Sequence, residues 1–298
     1  MCENVTLVVS SCDKYEDAWY PYFELLQKYW PQHPERIALI TETKKYSCDG
    51  LNIKTYNYPD SYTWSERLYY TLKDINTKYI IFSLEDFFLL NYVDQEKINN
   101  CIKWMENNEK IAECRLCVSN SPKLKETEEY EGFYFADSDM DYRVDTQVAL
   151  WRKESMMNLL DLTESPWNFE KNANIRNIHS EDLFLWYYSD DIEDINKMVF
   201  PYKIEQKLGY GVAWGMWLWN NKSWFEKNGI NNVNFHRLGC ISKKAADRRF
   251  EHLYNINPSI FDKIIRPIWK LKILLTRVRT SILTLGFKRG IKEYLRKI

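Results

Sequence analysis

Two pairs of adjacent acids are the side chains of this sequence best suited to chemistry: Glu85–Asp86 in IIFSLEDFFL, and Glu181–Asp182 in NIHSEDLFLWYY. The first pair closes an apolar run that reads as a buried strand. Two ionised carboxylates at the dry edge of a sheet are costly unless a cation or hydrogen-bond donors compensate them. A hard divalent ion, Mn²⁺ or Mg²⁺, would do so, because it accepts one or two carboxylates and completes its shell with phosphate oxygens and water. The alternative is that Glu85 and Asp86 cap the next turn and face solvent. For the second pair, Ser180 reads as the N-cap of a helix over 181–189, with Glu181 and Asp182 in its first turn. There the helix dipole favours anions by about 0.3–1 kcal/mol. Its chemical reading is a general base, a carboxylate that deprotonates an attacking hydroxyl. His179 reads as a structural hydrogen-bonder.

Other residues could serve the same chemistry. In ESPWNFEKN (164–172), Pro166 suits a helix start, and Trp167 with Glu170 could grip a sugar, ring face on indole and hydroxyls on carboxylate. Trp167 and Phe169 could equally anchor a core. Arg67, in WSERL, could reach a phosphate or a base, or pair with Glu66 or Asp74.

The elements that must position these residues alternate. VTLVVSSC (5–12), RIALITE (36–42), IKTYNY (53–58) and KYIIFSLED (78–86) predict four strands, with helices over 15–30 and from Trp64 through Leu72, the latter entered at Ser61 or Thr63. That order predicts an α/β fold with a mostly parallel, helix-covered sheet. Ligands of such sheets bind outside the carboxyl ends of the strands, where Ser10, Ser11, Asp13, Glu42, Glu85 and Asp86 would meet. Further on, a helix (95–107), a strand (112–118), two strands less surely parallel (132–136 and 145–152), and helices at 153–161 and near 167–174 are expected. The Gly- and Trp-rich KLGYGVAWGMWLW (207–219) fits no single element.

Formal net charge is −1, which argues against nucleic acid as a partner of the whole molecule. The balance is uneven. Residues 259–298 hold eleven Lys/Arg against Asp262 and Glu293, a net of +9 that leaves −10 on residues 1–258. The expected organisation is therefore a body of 1–258 and a basic tail of 259–298. The tail is apolar and cationic, and Lys270, Lys272, Arg277 and Arg279 interrupt it too often for it to span a bilayer. It suits an amphipathic helix on an anionic membrane surface, or one docked on the acidic body. Twelve Trp and twenty-one Tyr serve either core packing or stacking on sugars and bases. Seven irregularly spaced cysteines and no signal-peptide pattern at the start point to a reducing compartment. Cys114 and Cys117 read as buried thiols, and no structural zinc site is expected.

The segments VVSSCDKYEDAWYPYFELLQKYWP, TWSERL, YIIFSLEDFFL, SPWNFE and HSEDLFLW, in that order over about residues 5–205, resemble the GT-A nucleotide-sugar glycosyltransferases of bacterial surface-polysaccharide (capsule or O-antigen) clusters. The resemblance implies that Ser11 and Asp13, with Ser10, Glu42 and Arg67, lie against the nucleotide-sugar donor. It implies that Glu85 and Asp86 stand where the family carries metal-binding DxD-type acids, and that Glu181 or Asp182 supplies the base of an inverting transfer to a glycan or lipid-linked glycan. LEDF departs from a full DxD, since Phe87 fills the third position. His236 could complete a metal set, or Lys203, Lys207 or Arg237 could neutralise the diphosphate without an ion. A peripheral place on the cytoplasmic face of the inner membrane would follow. Two other classes stand beside it. A carbohydrate-binding module explains the aromatics but not the paired acids, and a phosphotransferase or pyrophosphorylase calls for a Gly-rich phosphate loop, whereas SSCDKYED has no glycine.

Overall fold

A computed structural model describes residues 4–254, except 141, 193 and 203–210. Backbone contacts divide the chain into two units, Met1–Ser242 and Lys243–Ile298. Of the second, only a helix over Lys243–Tyr254 lies among the described residues. The expected tail of 259–298, and Lys203 and Lys207, lie outside them.

The first unit is built on a nine-stranded sheet. In chain order it contains β1 (Val5–Ser10), α1 (Glu16–Tyr29), β2 (Arg36–Thr41), β3 (Ile53–Asn57), α2 (Trp64–Asp74), β4 (Tyr79–Leu84), α3 (Gln95–Asn107) and β5 (Ile111–Ser119). Then come β6 (Leu124–Lys125), β7 (Phe133–Ala136), β8 (Ala149–Arg152), α4 (Lys153–Leu159), α5 (Pro166–Asn177) and β9 (Leu183–Tyr188). The strand order is β3-β2-β1-β4-β8-β5-β9-β7-β6. Strands β1 to β4 are parallel, and β9 is parallel to β5. Strand β8 runs against both β4 and β5, and β7 runs against β9. The mostly parallel, helix-covered sheet is thus present, with β7 and β8 as the strands that run against the rest.

Alternation along the strands fills both faces. Val5, Leu7, Val9, Tyr79 and Ile81 pack on one side with residues of α1 and α3. Val8, Ile80, Phe82 and Trp151 pack on the other with α2, α4 and α5. Because both faces are covered, the strands read as near-continuous apolar runs. Helix α2 starts at Thr63, whose side chain and that of Glu66 form a reciprocal capping box. Helix α5 starts at Ser165, which accepts from the Asn168 N–H, with Pro166 in its first turn.

Residues 181–189 do not form a helix. Leu183–Tyr188 is strand β9, and the Ser180 hydroxyl accepts from the Asp182 N–H without starting a helix. The run DLFLWYY is apolar on both sides because β9 lies inside the sheet, and such a run fits a helix or a strand equally well by pattern.

Further along the chain, Val212–Ala213 (β10) and Met216–Leu218 (β11) form a hairpin, followed by α6 (Asn221–Lys227) and β12 (Cys240–Ile241) beside β11. The hairpin's two-residue turn is Trp214–Gly215, with φ of +52° and +76°. Positive φ at both positions matches the twist of a tight hairpin.

Candidate active site

The carboxyl ends of β1, β2 and β4 come together with the entry to β8. Ala149 pairs with Phe82 in antiparallel register, so Thr146 and Gln147 enter β8 on the edge where Glu85 and Asp86 leave β4. Glu85 and Asp86 do not face solvent; they are 7% and 6% exposed. Burial, and secondarily the Asp86 charge, push the Glu85 carboxyl well above the usual range, against a hydrogen bond with Ser11. The same acids act on the loop after β1. Burial and then Glu85 and Glu42 push the Cys12 thiol up to about 12, while burial with Glu85, Cys12 and Asp86 takes the Tyr15 phenol to about 12. Cys12 and Tyr15 thus belong to this acidic cluster, although sequence reasoning passed over them.

The other residues expected here take definite places. Ser10 and Ser11 are buried, and each accepts an indole N–H: Trp64 to Ser10 at 2.9 Å and Trp19 to Ser11 at 2.7 Å. They lie at the carboxyl end of β1, beside the end of β4 from which Glu85 and Asp86 leave. The Asp13 carboxylate receives the N–H groups of Glu42 (3.1 Å), Thr43 (3.0 Å) and Lys44 (3.2 Å), and so fastens the β1 and β2 loops to each other. Although partial burial opposes it, these bonds and the Thr43 hydroxyl hold the Asp13 carboxyl below its usual value. Arg67 pairs with Glu42, not with Glu66 or Asp74, since Asp74 is taken by Lys54 and Tyr56. Arg237 reaches the β1 loop, where it meets Asp17 at 2.8 Å, Glu16 at 3.4 Å and the Asp13 carbonyl at 3.4 Å.

Asp86 also has a structural role. Its Oδ2 accepts from the Val212 N–H at 3.0 Å and its carbonyl from Gly211 N–H at 3.3 Å, which fixes the β10–β11 hairpin to the end of β4. Phe88 lies beneath: a Cβ on Gly211 would fall 2.0 Å from its ring, so only glycine fits. At the hairpin tip, the Lys14 ammonium lies against Gly215.

Trp167 and Glu170 reach the same edge from α5. Trp167 is 70% exposed, so it is not a core anchor; Phe169, fully buried and 5.3 Å from the Trp64 ring, is. One Glu170 oxygen accepts both the N–H (3.0 Å) and the hydroxyl (2.6 Å) of Thr146. Beside it Asp145, pushed by burial to about 6 against the pull of Arg115, is a further acid at this edge. Neither Asp145 nor Thr146 carried a sequence signal; only the antiparallel run of β8 brings them here.

Glu181 and Asp182 lie elsewhere. Strand β9 is parallel to β4 and β1, and Leu183 pairs with Ile111 where β5 begins. The two acids therefore precede β9 on the opposite edge of the sheet, roughly 20 Å from Asp86 at about 3.3 Å per residue over a six-residue strand. Glu181 pairs with Lys110 at 2.7 Å on the surface, and the Asp182 carboxylate accepts from Asn177 at 3.1 Å. A base at that edge cannot serve a ligand at the other. His236 does not join Glu85 and Asp86 in a cluster; among the described residues no three His, Cys, Asp or Glu side chains gather as metal ligands. It lines a cavity of about 470 Å³ beside α6, with Lys222, Phe235 and Cys240. Cys114 and Cys117 are buried free thiols, as expected.

No protein-family model matches the chain, and no curated protein matches its sequence. Some solved structures are similar to part of the chain. A cytidylyltransferase from Leptospira borgpetersenii serovar Hardjo-bovis is 10% identical, with 64% of this chain and 78% of that one covered and a TM-score of 0.41. TarS 1–349 of S. aureus is 9% identical, with 62% and 60% covered and a TM-score of 0.42. Glucosyl-3-phosphoglycerate synthase from Mycobacterium tuberculosis, in complex with phosphoglyceric acid, is 9% identical, with 62% and 70% covered and a TM-score of 0.41. Likeness at this level carries no functional argument; the chain's own residues must.

Proposed function

We propose that this chain is a GT-A-type glycosyltransferase that moves a sugar from a nucleotide-diphosphate sugar, a UDP-sugar in the first instance, to a hydroxyl of a surface glycan. The observation that carries the reading is the buried Glu85–Asp86 pair at the carboxyl end of β4, in a cleft shared with the β1 and β2 loops. A carboxyl pushed toward neutrality by burial and a second acid is a place where bound positive charge would be strongly favoured.

The donor set fits a hard divalent cation. Glu85 and Asp86 would hold Mn²⁺ or Mg²⁺, with one Asp86 oxygen already engaged by Val212, and the diphosphate and water would complete the shell. Such an ion supplies neutralisation of the charge that develops on the departing diphosphate. The chain's residues do the rest. Asp13, bound to the β2 loop, and the Arg67–Glu42 pair shape the wall against the nucleotide. Lys14 and Arg237 bring positive charge to the β1 loop.

The proton of the attacking hydroxyl goes to Glu170, not to Glu181 or Asp182. Glu170 is on the correct edge, its orientation is set by Thr146, and Trp167 on the preceding turn offers an exposed indole face for the acceptor sugar. One base acting in a single displacement gives inversion. A lipid-linked acceptor, with the basic 259–298 segment on the anionic inner face of the membrane, fits the charge division of the sequence.

The test is thermal stabilisation by UDP, GDP and CDP with and without Mn²⁺. A nucleotide site raises the melting temperature with at least one of them, the gain growing with Mn²⁺ and shrinking in Glu85→Gln. A carbohydrate-binding protein responds to none, and that outcome would remove the proposal.

A further inference from the structure

Beneath the acceptor side of the cleft, the buried pair Glu113 and Arg115 on β5 takes no direct part in the proposed transfer. Arg115 is 4% exposed, and its guanidinium lies 3.3 Å from the centre of the Trp186 ring on β9. One of its terminal nitrogens meets three oxygens of a single chain segment: the carbonyls of Tyr142 (3.4 Å) and Arg143 (3.3 Å) and Oδ1 of Asp145 (3.0 Å). That segment is under strain, since Tyr142 has a φ of +59°. The same Asp145 oxygen accepts the Gln147 N–H at 3.0 Å, which leaves Thr146 between two fixed neighbours with its N–H and hydroxyl aimed at Glu170. Glu113 is fully buried and neither of its oxygens has a hydrogen-bond partner; Arg115 Nε lies 3.5 Å from one of them.

We propose that Arg115 is the positioning residue of the acceptor site: by holding residues 142–145 it orients Thr146, and through Thr146 the Glu170 carboxylate. This rests on the assignment of Glu170 as the group that meets the acceptor. The guanidinium suits the task because one terminal nitrogen reaches these oxygens while its plane stacks on the indole, and an ammonium has no plane to stack. Burial raises the Glu113 carboxyl to about 8, and Asp145 is the acid that Arg115 meets at hydrogen-bond distance.

The experiment compares Arg115→Met and Arg115→Lys with the unaltered protein. Amide hydrogen exchange is read at Thr146, with Val8 in β1 as the control for global stability. We expect Thr146 to exchange at least tenfold faster in Arg115→Met and by an intermediate factor in Arg115→Lys, with Val8 unchanged. In the same samples, the kcat for hydrolysis of a UDP-sugar, water serving as acceptor, should fall at least tenfold while the donor KM holds. Should Arg115→Met fail to fold, Arg115→Lys decides. Unchanged Thr146 exchange in a folded Arg115→Lys overturns the positioning role. If UDP gives no stabilisation to the unaltered protein, the glycosyltransferase reading falls, and the exchange result still reports on Arg115 alone.

Discussion

The carboxylate of Asp86 and the main-chain N–H of Val212, 3.0 Å apart, join the end of β4 to a hairpin 126 positions later in the chain. One side chain therefore serves both the charge of the cleft and the placement of one of its walls. The two tasks separate in mutants. Asp86→Asn keeps an oxygen that can accept from Val212, so its melting temperature should stay close to that of the unaltered protein while the Mn²⁺-dependent part of nucleotide stabilisation disappears. Asp86→Ala loses the acceptor as well and should cost about 1–3 kcal/mol of stability by leaving a buried donor unmet. Denaturant melts of both variants, with and without Mn²⁺ and UDP, check this. Equal destabilisation by the two substitutions would show that the hairpin does not depend on that oxygen.

Gly211 is fixed by the ring of Phe88 beneath it. Gly211→Ala places a methyl where the ring is, and we expect a loss of about 1–3 kcal/mol in a denaturant melt, the range for overpacking a tight site. Phe88→Leu in the same chain should recover part of that loss, because the smaller side chain vacates the contested space. Phe88 also stacks on Trp217 at 6.0 Å, so recovery stays incomplete.

How much of this was legible in the sequence depends on what each segment had to say locally. Strands β1 to β4 and helices α1 to α3 could be read from apolar pattern and flanking caps because each is defined by its own residues. The place of Glu85 and Asp86 at a strand's carboxyl end was legible, whereas their burial was open between a compensated pair and a solvent-facing cap until the structure showed it. The acceptor side was legible only in part: Trp167 and Glu170 were read as a sugar grip, but their neighbours Asp145 and Thr146 were not seen. Thr146, Asp145 and Glu170 meet only because β8 enters the sheet backwards, and strand direction leaves no mark on a four-residue strand. Residues 183–188 were misread for a related reason: a central strand shows apolar residues on both faces, which removes the period that separates strand from helix.

Glu113 makes stability depend on pH. Burial raises its carboxyl to about 8 in the folded protein, against about 4.3 in the unfolded chain. Between those values the folded state holds a proton that the unfolded state has lost. Stability therefore falls as pH rises from about 4.3 toward 8, then levels off. The drop attributable to this residue is on the order of 5 kcal/mol, and Glu113→Gln, which has no proton to lose, should flatten the profile by that amount. Asp145, raised to about 6, adds a smaller decline of the same sign that the variant retains. Urea midpoints at pH 5, 7 and 9 measure it. Parallel profiles for the two proteins would place the sensitivity elsewhere.

The assignment of the base makes opposite demands on two acidic sites. Glu181→Gln and Asp182→Asn alter carboxylates on the amino edge of the sheet, one of them in an exposed pair with Lys110. Solvent and salt screen a fully exposed pair of that kind, so the Glu181 variant should fold normally and turn over UDP-sugar at the unaltered rate. Asp182→Asn keeps an oxygen for the Asn177 contact and should behave likewise. Glu170→Gln preserves the hydrogen bond from Thr146 but cannot take a proton, and general-base loss costs about 10²–10⁴ in kcat. Its donor KM and its nucleotide-dependent melting temperature should not move, because the proposed donor site is built from the β1 and β2 loops rather than from α5. A Glu170→Gln enzyme of full kcat, or an inactive but folded Asp182→Asn, would reverse the assignment and require the chain to carry its substrate to the other edge of the sheet.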